Sequence, residues 1–185
     1  AKRQNVMAAA EPALTRMAGA TGGDGIGIIG KRKGLVILVD FQDVKMQSAH
    51  DNAEWNDFFN KSGYNTLSNS GSVHDYFYSQ SYGQFDLSFD VVGPVTVSKN
   101  MADYGGNDDS GNDKDPGGMV YEACRLVADK VNFADYDWDG DGEVDQVFVI
   151  YAGYGEASRP ALLPNTIWPH EWTLKAAGYS LTLNQ

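Results

Sequence analysis

Residues 137 to 150 read DWDGDGEVDQVFVI, an acidic loop that runs without a break into an apolar strand. This junction constrains the chain more than any other stretch, because it places a charged turn at the mouth of a buried element. Carboxylates stand at alternating positions, Asp137, Asp139 and Asp141, with Asp145 further on. Gly142 falls where a calcium loop of the EF-hand type needs its sharp turn, and the backbone carbonyl of Glu143 falls at the seventh ligand position. Position 12 of that scheme is Phe148 rather than a bidentate Glu, and the apolar run VFVIYAG follows at once. The second flank is therefore a strand, not a helix. Two readings are open. In one, Asp137, Asp139, Asp141, Glu143 and Asp145 hold calcium, and the ion offsets the repulsion of crowded carboxylates. In the other, the stretch is a solvated acidic turn, since Asp-Gly pairs mark turns in any protein.

A chain of 185 residues is long enough for one domain with its own core. A formal net charge of −11 argues against a nucleic-acid partner, because phosphate binding needs basic patches. No apolar run reaches the roughly 18 residues that a membrane helix requires, so no transmembrane segment is expected. Cys124 is the single cysteine, so no internal disulfide can form and cysteine usage says nothing of compartment.

Residues 1–33 read as a flexible tail or the remnant of a pro-region, and residues 34–185 as the folded part. Gly25, Gly27 and Gly30 spell GxGxxG, but a strand follows it where a dinucleotide fold needs a helix, so that reading is rejected. Leu35 to Val39 is a continuous apolar run, the mark of a strand buried on both faces. It ends in Asp40-Phe41-Gln42-Asp43, whose carboxylates suit either a site at a strand end or a turn and cap. Helices are predicted over 51–61, capped by Asp51, over 72–80, and from the Asp115-Pro116 cap onward with Val120, Cys124, Val127 and Val131 on the core face. Cys124 is read as a small core hydrophobe. Strands are predicted over 84–92, with a hairpin or bent ribbon across Gly93-Pro94 into 95–97, and over 146–152. Residues 101–115 form a second acidic stretch whose spacing fits no metal template and which reads as a solvated loop. His170-Glu171 begins like HExxH, but Leu174 stands where the second His must be and Pro169 disfavours a helix. That segment is expected to be a strand or extended edge.

Four pieces in this order, GLVILVDFQD (34–43), SVHDYFYSQSYGQFDLSFDVVGPVTV (72–97), FADYDWDGDGEVDQVFVIYAGYGE (133–156) and NTIWPHEW (165–172), resemble the secreted zinc metallopeptidases of the immune inhibitor A type. The resemblance implies an α+β or α/β fold: a twisted mixed sheet with backing helices, the N-terminal (upper) subdomain of a zincin-type catalytic domain. It implies an extracellular or cell-surface location, a protein or peptide substrate laid along a sheet edge, and a structural calcium at the acidic loop. It also implies a catalytic zinc on an HExxH helix that follows these residues, in the remainder of the catalytic domain. None of His50, His74 or His170 stands in an HExxH, so no zinc ligand and no catalytic residue is assigned within the chain, which is expected to be truncated and inactive alone. The competing reading is a non-enzymatic calcium-binding cell-surface or interaction module. It accounts for the loop but not for the order of the four pieces. A glycosidase with paired carboxylates is disfavoured because no two acids are paired by the sequence.

Overall fold

The computed structural model describes residues 29–158 and 162–183. Its centre is strand β1, Gly30–Asp40, in which Leu35 through Val39 have no exposed surface. β1 is the middle of a sheet ordered β2-β1-β3, where β2 is Phe85–Thr96 and β3 is Val147–Tyr151. Both neighbours run parallel to it, with Gly30 opposite Phe85 and Leu35 opposite Val147. A central parallel strand is covered on both faces, which is why its sequence is continuously apolar. β2, an edge strand, alternates instead: Leu87 and Phe89 are buried while Ser88 is exposed.

Each strand-to-strand connection carries helices. Helix α1 (Asn52–Asn60) and helix α2 (Val73–Gln80) lie between β1 and β2. Helix α3 (Met101–Gly105) and helix α4 (Pro116–Leu126) lie between β2 and β3. The first crossover leads to one side of β1 and the second returns to the other. Right-handed parallel crossovers then put their helices on opposite faces. Two cores result. Val36 and Leu38 meet Phe59 of α1, Phe77 of α2 and Phe89; Leu35, Ile37 and Val39 meet Met119, Ala123 and Cys124 of α4. The expected sheet backed by helices is present, but its described strands are all parallel rather than mixed.

The local signals behave as their chemistry requires. Asp51 accepts the Glu54 N–H at 2.9 Å and caps α1. Ser72 and Asp75 form a reciprocal capping box at α2. Asp115 caps α4, with Pro116 at the first helical position. α4 ends at Leu126, short of Val131, and its deepest residues are Met119, Ala123 and Cys124. Cys124 is core, as expected, and burial pushes its thiol up to about 11. Across Gly93-Pro94 the chain is one bent strand, not a hairpin. The register against β1 slips between Ile37 and Val39, and a Cβ on Gly93 would come within 2.5 Å of the Leu38 carbonyl oxygen.

Three expectations change, and one left open between two readings is resolved. β1 begins at Gly30, so residues 30–33 of the expected tail are paired with β2. The rest of that tail, with Gly25 and Gly27, lies outside the described residues. The Asp40–Asp43 segment serves as turn and cap: Asp40 accepts the Met46 N–H at 2.8 Å and Asp43 accepts the Met101 N–H at 2.9 Å. Residues 101–115 are not simply a solvated loop, since α3 forms there on an Asn100–Asp103 capping box with Met101, Tyr104 and Gly105 buried. Finally, the segment 165–172 is neither helix nor strand. Ile167 is buried, and its carbonyl accepts the Glu156 N–H at 3.0 Å and the Tyr151 hydroxyl at 2.9 Å.

Candidate metal centre

The acidic loop is anchored at its N-terminal end by two aromatic residues, Tyr136 and Trp138. A 3-10 turn, Phe133–Tyr136, delivers Tyr136 into the α4-side core, where it is 1% exposed. Its hydroxyl donates to Asp90 Oδ2 of β2 at 2.9 Å, and Lys33 Nζ of β1 pairs with the same oxygen at 2.7 Å. Burial first, then the Asp90 carboxylate, push the Tyr136 phenol well above its ordinary range. Trp138 turns to the opposite core. Its indole N–H donates to the Lys33 carbonyl at 2.8 Å and its ring packs edge-on against Phe85 at 5.9 Å. Sequence reasoning missed this pair, although a Trp set between two loop aspartates was a visible sign of an anchor.

Beyond these anchors the backbone curls around one carboxylate, that of Asp137. Gly140 and Gly142 adopt φ of +80° and +85°, the left-handed region that glycine enters without cost. The curl lets Asp137 accept N–H groups from Gly140 at 2.7 Å, Gly142 at 2.9 Å and Asp141 at 3.2 Å. Asp139 accepts from Asp141 N at 3.1 Å, and Asp141 from Glu143 N at 2.8 Å. Asp145 accepts the Trp138 N–H, which closes the loop on itself.

Of the four aspartates singled out by sequence, three bring their carboxylates together. Carboxylate oxygens of Asp137, Asp139 and Asp145 lie within 4.8 Å of one another. Glu143 is expected to contribute its backbone carbonyl, and Asp141 is not in this group of side-chain oxygens. The charge consequences differ across it. Backbone N–H donors, Gly142 first, hold Asp137 below the usual carboxylate range. Asp145 moves up, through loss of hydration where the loop packs around its carboxyl and then through the charges of Asp139, Asp137 and Asp141. A divalent cation among these oxygens would reverse the second effect. The donor set is all oxygen, which suits a hard cation of the calcium type, with carbonyls and water left to complete the shell.

No such fit exists for zinc. Among the described residues, the only group of three or more His, Cys, Asp or Glu close enough to share an ion is the aspartate trio. The histidines are spent elsewhere. His74 Nε2 faces Asp86 Oδ1 at 2.9 Å and its ring stacks on Tyr78, His170 Nδ1 faces the Trp168 carbonyl at 2.6 Å, and His50 sits beside Trp55. No helix is long and apolar enough to cross a membrane, among the described residues.

Residues 24–182 match the family model described as immune inhibitor A peptidase M6, catalytic domain. The chain is 29% identical to immune inhibitor A of Bacillus thuringiensis subsp. alesti over 80% of its own length and 26% of that protein's. It is 27% identical to the pre-pro-metalloprotease PrtV of Vibrio cholerae serotype O1, over 77% of its length and 19% of PrtV's. The chain thus spans about a quarter or less of the relatives it matches. With the family match running through the sheet, the helices and the acidic loop alike, the chain belongs to the immune inhibitor A family of M6 metallopeptidases.

Proposed function

We propose that these residues are part of the catalytic domain of a secreted zinc metalloendopeptidase that hydrolyses peptide bonds in proteins. The observation that carries this reading is the family match over residues 24–182. The part played by this chain is scaffolding: the parallel sheet, an edge along which an extended substrate adds as a further strand, and a calcium loop. The zinc ligands and the general base come from the remainder of the catalytic domain, since the three histidines here belong to no HExxH. The isolated 185-residue chain, supplied with zinc, is therefore expected to leave casein uncut on a gel, whereas zinc-dependent cleavage by it would overturn this division of labour.

The calcium assignment is supported by the convergence of Asp137, Asp139 and Asp145 within 4.8 Å on a loop whose flanks are anchored in both cores. A site of about 10⁻⁴ M would be largely filled at extracellular calcium levels. At tenfold excess it would add about 1.4 kcal/mol to stability by mass action. The expected result is a Tm lowered by a few degrees in EGTA, with Asp139→Ala removing the difference. A melt that ignores the chelator would return the loop to an ordinary acidic turn. The alternative, a calcium-binding module without enzymatic context, shares that outcome and is separated from the main reading by the family match rather than by the ion.

A further inference from the structure

The acidic loop contains two Asp-Gly bonds, Asp139-Gly140 and Asp141-Gly142, and all four residues are exposed. Asp-Gly is the backbone step most open to spontaneous isomerisation, because glycine carries no side chain to shield its nitrogen. The glycine nitrogen, having lost its proton, attacks Cγ of the preceding aspartate. The carboxyl oxygen leaves as water and a succinimide ring closes. Water then reopens the ring at either carbonyl, giving aspartate back or an isoaspartate whose chain runs through the former side chain. The water lost is the water regained, and no oxidant or other reactant is needed.

Both attacking nitrogens are occupied here by one side chain. Gly140 N–H donates to Asp137 Oδ1 at 2.7 Å and Gly142 N–H to Asp137 Oδ2 at 2.9 Å. The two carboxylates that would be attacked are also engaged further along, Asp139 with Asp141 N and Asp141 with Glu143 N. A carboxylate that accepts an N–H makes loss of that proton harder, because the resulting amide anion would face a like charge.

We infer that Asp137 is a protecting residue, which keeps the Asp139-Gly140 and Asp141-Gly142 bonds dormant while the loop is folded and makes this loop the site of isoaspartate formation once that carboxylate is lost. The inference rests on hydrogen bonds within the chain and not on an ion, so its test is run in EGTA. The full chain and a synthetic peptide of residues 133–148 are held at neutral pH and physiological temperature. Isoaspartate is followed bond by bond by peptide mapping with electron-transfer fragmentation. The peptide should isomerise about tenfold faster or more, the factor expected when a hydrogen bond to a charged group guards the nucleophile. Asp137→Ala should speed both bonds. Gly140 and Gly142 face different oxygens of Asp137, and Asp137→Asn turns one of those oxygens into an NH2 that cannot accept, so one bond should accelerate and the other stay slow. Equal rates in chain and peptide would overturn the proposal. So would unchanged rates in an Asp137→Ala chain with native circular dichroism. Should that variant fail to fold, equal behaviour of the two bonds in Asp137→Asn decides against it.

Discussion

The chain has two acidic stretches, 103–115 and 137–145, and they use aspartate in opposite ways. In the first, Asp103, Asp108, Asp113 and Asp115 each have their own task. Asp103 accepts the Asn100 N–H, Asp108 accepts from Ser110 and Asn112, and Asp113 accepts the Trp168 N–H at 2.8 Å. Asp115 takes the Gly118 N–H at 3.0 Å, Lys99 Nζ at 3.0 Å and the Tyr179 hydroxyl at 2.6 Å. In the second stretch, alternate spacing and two left-handed glycines bring three carboxylates to within 4.8 Å of one another. The number of acids is thus no guide to a metal site. What matters is whether the backbone turns tightly enough for their oxygens to face one point, or spreads them so that each meets a different donor.

The largest test of that contrast is Asp115→Ala. It removes a helix cap and two charge-assisted or hydroxyl partners from a half-buried carboxylate, and should cost about 2–3 kcal/mol by chemical denaturation. Burial alone would raise the Asp115 carboxyl, but Tyr179, Lys99 and Gly118 outweigh it and hold it below the ordinary range. A lowered folded-state pKa means stability that is present above the unfolded value and is lost as pH falls through the folded one. The gap between the wild type and Asp115→Asn should accordingly close in acid, and a gap that persists there would show that the contribution is not ionic.

Asp145→Asn should do the reverse on a smaller scale. Its raised carboxyl favours the protonated folded state, so its contribution is fullest below the unfolded pKa and falls away as pH rises through the folded one. In EGTA at neutral pH the variant, which retains an acceptor for the Trp138 N–H, should match or exceed the wild type by no more than about 1 kcal/mol. The limit is set by the exposure of the carboxyl, which lets water screen the charges. In calcium it should be the less stable of the two. A variant weaker under both conditions would make Asp145 a structural ligand of the loop and nothing more.

Much of this molecule was legible before any coordinates. The LVILV run could only be a strand covered on both faces, and it is the centre of the sheet. Asp51, Ser72 and Asp115-Pro116 announce three helix starts, because caps act through N–H groups two or three residues away. The short helix α3 escaped notice although its Asn100–Asp103 box is equally local, because five residues carry no periodicity to support it. The far end of α4 was misjudged for a related reason: Val127 stays buried after the helix has ended, so apolar spacing alone does not mark the boundary.

The chain by itself determined the chemistry of the opening junction, its oxygen donors, its turn glycines and the strand it leads into, since these depend on residues a few positions apart. Tertiary structure decided the rest. It fixed where the loop sits: Tyr136 and Trp138 are held in opposite cores by residues far away in sequence, Asp90, Lys33 and Phe85. The same holds for Ile167, which is core because Gly105 has no side chain. A Cβ there would stand 2.6 Å from the Ile167 nitrogen. Such choices depend on which surfaces meet across the sheet, and that is settled by burial over long separations rather than by any short pattern of residues.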